Sequence, residues 1–574
     1  MAEKLNVVNT LNKFSISRPK GEASTVQKSE ESKKIDWGTI GLVGVSIVAA
    51  AIGGINYMRR CKTSENAIKQ GQLISDNIAN NFKTKGDEIM KKYEHAFGKN
   101  DIRGIYGDDI TEEIFNATGR AFIEYLKKQT SQSAENIWVT VTMDARTHSP
   151  SLAKSLIDGV TSTGANVVNL GLAPTPIGYY SEVVGVPSKL IDGKKVLGAM
   201  IITASHNPKE YNGLKMTFAG RTLGEKQIQA VKEFAFKELE NKTTSKTIGK
   251  VIDYNIIPDY ISEMKNHFGQ IGKGVKIVVD SANATGGVVG PQLYKELGCD
   301  VIELYSKPDG NFPNHHPNPS DLKTLKDLQA EVLKSGADVG IAYDGDSDRI
   351  GVVTPDGKPL TGDKLLLIYA TDILSKLENK SDLTVVSEVK CSQVLFDSIN
   401  KAGGQAVMCK TGHGYIKDKM KETNAILAGE MSGHTFFKDR YYGFDDAIYA
   451  GGRIIEIIAK NKAKNSAFKL QDMLKPFDAI CSSDEVRFPC PNDKKKETLE
   501  KFKNCVENNK DLFGSDIKEI ITLDGMRIVF DGGFALIRQS NTEPVFTLRF
   551  EGKTIEDCER YKSCMIKTLE GLLK

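Results

Sequence analysis

One phrase recurs three times in this chain and restricts it to few architectures: a strand-length apolar run, a helix, a glycine and a second strand. Ile137 to Met143, Ser151 to Thr163, Gly164 and Asn166 to Leu170 form the first copy. Val275 to Val279, Val288 to Leu297, Gly298 and Asp300 to Leu304 form the second. Leu383 to Ser387, Ser392 to Lys401, Gly403-Gly404 and Gln405 to Cys409 form the third. The glycines suit helix C-caps, and right-handed crossovers make each strand pair parallel. The copies stand too far apart for a solenoid. At 574 residues the chain also exceeds a single core. The expected fold is therefore three similar α/β domains in tandem, with mixed, largely parallel sheets. Their expected limits are 97–248, 249–352 and 353–474. From about residue 475 the pattern changes to a helix (494–507), strand runs at 517–523, 526–530, 534–538 and 545–550, and a helix over 554–573. Turns at Asp524-Gly525 and Asp531-Gly532-Gly533 make this hairpin-rich segment, 475–574, an α+β domain.

Four polar loops follow apolar runs, at the strand edge where open α/β sheets bind ligands. Leu197 to Ile202 leads into Thr203-Ala204-Ser205-His206-Asn207-Pro208, with Lys209 and Lys215 close by. Asn207-Pro208 and Asn212-Gly213 are read as turns. A serine hydroxyl is a weak nucleophile unless a base or cation assists it, and His206 is its neighbour. Val339 to Ala342 leads into Asp344-Gly345-Asp346-Ser347-Asp348-Arg349. Three carboxylates converging on one point favour a divalent cation, with Mg²⁺ the default for phosphate chemistry. An EF-hand is excluded, because Arg349 stands where its glycine is required and Pro355 where its glutamate is required. Gly429-Glu430-Met431-Ser432-Gly433-His434 supplies groups able to bond adjacent sugar hydroxyls. Arg538-Gln539-Ser540-Asn541-Thr542-Glu543-Pro544 supplies donors for a phosphate dianion.

The first 96 residues read differently. Residues 1–36 are polar and mixed in charge, the composition of a disordered tail. Trp37 to Met58 runs 22 residues without a charge, about 33 Å as a helix, and is read as a single transmembrane helix. Ser46, Ala50 and Gly54 give it a small-residue face. Residues 59–96 are read as a helical stalk. Arg59, Arg60 and Lys62 follow the span, but basic residues precede it too, so the positive-inside rule nearly ties. A membrane-anchored protein with its globular part on the cytoplasmic side is expected, with the basic cluster after the span in agreement. A net charge of +3 gives no reason to expect nucleic acid. The nine cysteines include no Cys-x-x-Cys pair, so no disulfide framework is expected.

In order and in successive domains, the Ser205 loop, the aspartate triplet, Glu-Met-Ser-Gly-His and Arg-x-Ser-Asn-Thr resemble the α-D-phosphohexomutase superfamily, and most closely its bacterial phosphomannomutase/phosphoglucomutase branch. Asp101-Ile102-Arg103-Gly104, Pro308 to Pro317, Lys390, Lys410 to His413 and Tyr442 to Asp446 match it as well. Met431 fits that branch; phosphoglucosamine mutases, the alternative, usually carry Gln there. The resemblance covers roughly residues 97–574. It implies a phosphoserine at Ser205, with His206 beside it, that exchanges its phosphoryl group with a hexose 1- or 6-phosphate through a hexose 1,6-bisphosphate. It implies Mg²⁺ held by Ser205, Asp344, Asp346 and Asp348, with Arg349 as an added cation. Lys215, His434 and Arg103 remain open as the proton-transfer group. Glu430 and Ser432 are implied at the sugar's 3- and 4-hydroxyls, with Lys390, His413 and His434 also binding substrate. Arg538, Ser540, Asn541 and Thr542 are implied at the distal phosphate. An inactive membrane-tethered sugar-phosphate binder and a phosphatase are the rival readings.

Overall fold

The computed structural model describes residues 91–540 and 543–573. The first sheet runs Ile102–Ile105, Tyr211–Phe218, Val196–Ile202, Trp138–Met143, Asn166–Leu172, Val251–Asp253, with Arg221–Thr222 paired to Tyr211–Phe218. Its central pairs are parallel, and Tyr211–Phe218 is antiparallel to both neighbours. The second sheet orders Pro359–Leu360, Ile350–Val353, Val339–Tyr343, Lys276–Asp280, Asp300–Leu304. The third orders Gln405–Cys409, Thr384–Glu388, Leu427–Gly429, Thr435–Phe437. In each, the repeated phrase forms the parallel pair and a hairpin adds the antiparallel edge. The fourth sheet, from Cys481–Ser482 to Val545–Gly552, is wholly antiparallel and backs onto helices Asn492–Asn508 and Ile555–Leu573.

The strands form where β-branched and aliphatic residues run together, and the central ones are buried on both faces: Val339–Tyr343 and Thr384–Glu388 are buried at every position. One large apolar cluster joins residues of the first three domains, and the fourth keeps its own core around Phe502, Ile528 and Leu548. The sheets shift two expected limits. Val251–Asp253 completes the first sheet beyond 248, and Pro359–Leu360 completes the second beyond 352. Tyr93 and Ala96, placed in the stalk by sequence, are buried in the first domain's core with Phe97.

Two expectations are corrected. Asn212-Gly213 is not a turn but lies inside strand Tyr211–Phe218. Gly213 serves close approach there, since a Cβ would stand 2.2 Å from the Ile102 carbonyl. The membrane placement is withdrawn: among the described residues no helix is long and apolar enough to cross a membrane. The expected span at 37–58, with the tail at 1–36 and residues 59–90 of the stalk, lies outside the described residues. The transmembrane helix, the membrane as partner and the membrane-anchored localisation therefore form no part of the structure.

Candidate active site

Strand Val196–Ile202 ends in the buried loop of Ser205, whose φ of 51° lies in the left-handed region. Ser205 Oγ donates to Asp344 Oδ2 at 2.7 Å, so the loops of the first and second domains meet on the serine hydroxyl. His206 Nδ1 is 3.3 Å from the same oxygen. Arg349, with burial and Arg103 adding to it, holds the His206 ring well below the usual imidazole range.

Asp344, Asp346 and Asp348 converge as expected, with ligand oxygens within 4.8 Å of one another, all three side chains being buried. Thr175 Oγ1 and Lys215 Nζ each donate to Asp346 Oδ2 at 2.6 Å, and Lys215 also donates to Asp348 Oδ2 at 2.6 Å. Burial alone would raise the Asp346 carboxyl, but Lys215 holds it low. Asp344 has only the more distant Arg349, Nε to Oδ2 3.8 Å, and burial, with Asp348 and Asp346 beside it, pushes it well up. Asp346 Oδ1 and Asp348 Oδ1 are buried and accept no hydrogen bond. Buried carboxylate oxygens without a donor are costly unless a cation takes them, so this donor set fits a hard divalent metal. Ser205 Oγ lies against the same cluster.

Arg349 and His434 join the second and third domains. Their backbones form an isolated antiparallel bridge, and Arg349 Nε donates to His434 Nε2 at 2.9 Å. His434 Nδ1 faces Asp445 Oδ2 at 3.0 Å and Asp348 Oδ1 at 3.7 Å. Burial lowers the His434 pKa, yet Asp348 and Asp445 raise it overall. The Arg349 bond, by contrast, requires a neutral ring that keeps its proton on Nδ1. The ring in this arrangement is therefore neutral, its Nε2 lone pair taken by Arg349 and its Nδ1 facing the two carboxylates. Lys215 is in the opposite condition: buried as it is, Asp346 and Asp348 hold it charged, well above the usual lysine range. Arg103 donates to Asn207 Oδ1 at 3.0 Å and pairs with Asp101 at 2.5 Å.

The line of contacts continues across the third domain. Glu430 N donates to His434 O at 3.0 Å, and Glu430 Oε1 accepts Gly412 N at 2.7 Å. Burial, then Glu388, raises the Glu430 pKa. Glu388 binds Met431 N at 2.9 Å and Thr411 Oγ1 at 2.5 Å, with Lys390 Nζ 3.6 Å away. His413, at the start of helix His413–Glu422, stacks 5.9 Å from the His434 ring. Ser432 is half-buried, and its carbonyl accepts Ser320 Oγ at 3.1 Å. Asp524 carries the line into the fourth domain, accepting from Thr411 N and Arg538 Nε, each at 3.1 Å. Ser540 Oγ accepts Glu543 N at 3.1 Å, and Lys495 Nζ donates to the Ser540 carbonyl at 2.9 Å. Asn541 and Thr542 lie outside the described residues. Ser205, His206, the aspartates, Lys215, Arg349 and His434 thus form one cluster. His413 stacks on the His434 side of that cluster, Lys390 and Glu430 form a second around Glu388, and Arg538 and Ser540 stand beyond Asp524.

Sequence reading missed Asp144, Arg146, Thr175, Glu388 and Asp524 as parts of this arrangement. Asp144 and Arg146 had a legible signal, since they follow strand Trp138–Met143 directly at the sheet edge where the Ser205 loop also lies. Thr175 and Asp524 had none, being single polar residues, the first at the start of helix Thr175–Val183 and the second in the turn before strand Met526–Phe530.

Models of the phosphoglucomutase/phosphomannomutase family match the chain four times in succession. They are alpha/beta/alpha domain I at 94–242, domain II at 258–357, domain III at 361–477 and the C-terminal domain at 485–567. A phosphomannomutase/phosphoglucomutase of Pseudomonas aeruginosa is 39% identical over 472 residues, 82% of this chain and 95% of that protein. A phosphoglucomutase of Neisseria meningitidis is 36% identical over 487 residues, 84% and 97% of the two chains. The crystal structure of a phosphoglucomutase/phosphomannomutase family protein from Burkholderia thailandensis superposes with a TM-score of 0.73 at 34% identity, covering 83% and 97% of the two chains.

Proposed function

The chain belongs to the phosphoglucomutase/phosphomannomutase family, and from that premise we propose how its residues divide the work of an isomerase that interconverts hexose 1-phosphates and hexose 6-phosphates. Ser205 carries the phosphoryl group. The hexose hydroxyl attacks the phosphorus of phosphoserine, so a new P–O bond to the sugar forms as the P–Oγ bond breaks. The product of this half-reaction is a hexose 1,6-bisphosphate. After it reorients, Ser205 Oγ takes the other phosphoryl group, and the released sugar oxygen regains a proton. Such transfers depend on in-line positioning and charge neutralisation more than on covalent help.

The observation that carries this reading is the 2.7 Å contact of Ser205 Oγ with Asp344, at the edge of the aspartate cluster. Asp344, Asp346 and Asp348, with Ser205, would hold Mg²⁺, which when bound neutralises charge on the phosphoryl oxygens. Lys215, Arg349 and Arg103 add fixed cations around the same point. Of the three open candidates for proton transfer, His434 is favoured. Lys215 is held as an ammonium by two carboxylates, and Arg103 is a guanidinium that stays protonated. His434 Nε2 can act as an acceptor once substrate displaces the Arg349 bond, with Asp445 behind Nδ1. Glu430 and Ser432 would take two sugar hydroxyls, with Lys390 and His413 beside them, and Arg538 with residues 540–542 the phosphate that is not reacting.

Ser205→Ala tests the assignment. The variant should fold, lose the phosphate-sized mass that the wild type carries, and lose nearly all mutase turnover in a coupled assay. A phosphate found on another residue would refute it.

A further inference from the structure

The loop that presents Ser205 has little secondary structure of its own, and its carbonyl oxygens turn toward one side chain. Arg146 is 1% exposed. Its Nη2 donates to the carbonyls of Ser205 (2.8 Å) and Asn207 (2.7 Å), and its Nη1 to those of Pro208 (2.5 Å) and Tyr211 (3.0 Å). Nε donates to Asp144 Oδ2 at 3.0 Å. A guanidinium has five N–H donors in a rigid plane, and each of the five has an acceptor here. Asp144 is fixed in turn by Arg146 N at 3.0 Å and Ser149 Oγ at 2.6 Å. The second domain covers the guanidinium, with the Phe312 ring 5.5 Å away, and Gly310 packs so closely that a Cβ would lie 2.4 Å from the Ala145 carbonyl.

Ser205 needs such a frame. A non-glycine residue with φ near 51° is strained, and such a conformation persists only where the surroundings impose it. The left-handed turn sets which way Oγ leaves the backbone, and Oγ must face Asp344. We propose that Arg146 is a positioning residue for phosphoryl transfer: it holds the Ser205 loop by four carbonyls, keeps the serine left-handed, and so aims Oγ without touching substrate. The inference rests on Ser205 being the phosphoryl carrier. An alternative in which Arg146 only stabilises the first domain makes a different prediction, because unfolding removes active molecules without slowing those that remain.

The test uses the full chain with Arg146→Lys and Arg146→Gln. Lysine keeps the charge but replaces a planar fork by a point, and cannot span four carbonyls. Misplacing a reacting atom by about 1 Å costs on the order of a hundredfold in rate. For Arg146→Lys, kcat per Ser205-phosphorylated molecule, counted by intact mass, should fall about that far, with KM for hexose 1-phosphate within about threefold of wild type. Arg146→Gln should fall further. A loss of activity that tracks only the folded fraction, with wild-type kcat in the remainder, overturns the proposal. If neither variant folds, Asp144→Asn is read instead. It should lower kcat several-fold at unchanged KM, and an unchanged kcat there overturns the proposal equally. Phosphate on Ser205 in the wild type with unimpaired variants refutes Arg146 alone. Absence of phosphate from wild-type Ser205 refutes the carrier assignment and the inference with it.

Discussion

Adding one methyl group at Gly345 should separate positioning from binding. Gly345 lies between two of the clustered aspartates and does not occupy the left-handed region, so alanine brings no backbone strain. Its Cβ would stand 2.3 Å from the Ser205 carbonyl, where ordinary contact begins at 3.4 Å. One loop must therefore give way by about 1 Å, a displacement worth on the order of a hundredfold in rate. Neither loop is free to retreat at no cost. Ser205 O is held by Arg146 at 2.8 Å, and Gly345 O accepts Thr285 Oγ1 at 3.1 Å. Whichever moves, the Ser205–Asp344 contact changes. In a coupled mutase assay Gly345→Ala should lower kcat about a hundredfold while KM stays within a few-fold. Gly571→Ala, where a Cβ meets nothing within 4 Å, is the control and should be silent. A wild-type kcat in Gly345→Ala would refute the view that the two loops are in register through this contact.

Arg538→Ala removes a buried cation from the proposed distal phosphate site; a charge-assisted bond is worth roughly 1.5–3 kcal/mol, so kcat/KM should fall about one to two orders of magnitude for both 1- and 6-phosphates. An effect on one direction only would contradict a shared site. Chelation should abolish turnover and Mg²⁺ restore it, and Asp346→Asn should weaken metal affinity without unfolding, both measurable by titrating activity against free Mg²⁺. Full activity after exhaustive chelation would exclude the metal. His315 bonds buried Asp280 at 3.0 Å; burial lowers its pKa, but Asp280 raises it overall. A raised folded pKa gives stability that is complete below the unfolded value of about 6.5 and lost as pH rises through the folded value. The Tm deficit of His315→Gln should therefore be larger at pH 6 than at pH 9, and an equal deficit at both would rule the pair out.

Periodicity carried most of the fold. Strands Val339–Tyr343 and Thr384–Glu388, buried at every position, leave an unbroken apolar signal, and the edge strands Asp300–Leu304 and Gln405–Cys409 are placed by the helix and glycine that precede them. The strand Tyr211–Phe218 was illegible for the opposite reason. Its Asn212-Gly213 has turn chemistry, and only the close approach of Ile102 explains a glycine in a strand. Among the site residues, those with convergent charge were visible, as Asp344, Asp346 and Asp348 were. Residues that act on backbone were not. Arg146 binds four carbonyls that any sequence would supply, and Asp524 joins Thr411 and Arg538 across domains that local pattern cannot relate.

The same blindness hides how the fourth domain is held. Arg527 and Arg549 sit inside strands Met526–Phe530 and Val545–Gly552, where alternation would send a charged residue to solvent. Both are buried instead. Arg527 donates to the carbonyls of Val389 (2.6 Å) and Cys391 (2.9 Å) and to Gln393 Oε1 (3.1 Å), its guanidinium 3.5 Å from the Phe534 ring centroid. Burial brings its pKa down to about 10, still charged at neutral pH. Arg549 bonds the Lys390 carbonyl and faces Asp363 at 3.3 Å. Apart from the Phe534 ring and Asp363, these contacts fall in residues 389–393, directly after Glu388, the segment that carries Lys390. Burying guanidinium groups is costly, and apolar packing of equal area would hold the domains at least as firmly. What packing lacks is direction: it tolerates sliding, whereas a planar fork on fixed carbonyls does not. The arginines therefore set the orientation of the fourth domain, and through it the placement of Arg538 relative to Glu430, the two residues proposed to hold opposite ends of a sugar phosphate.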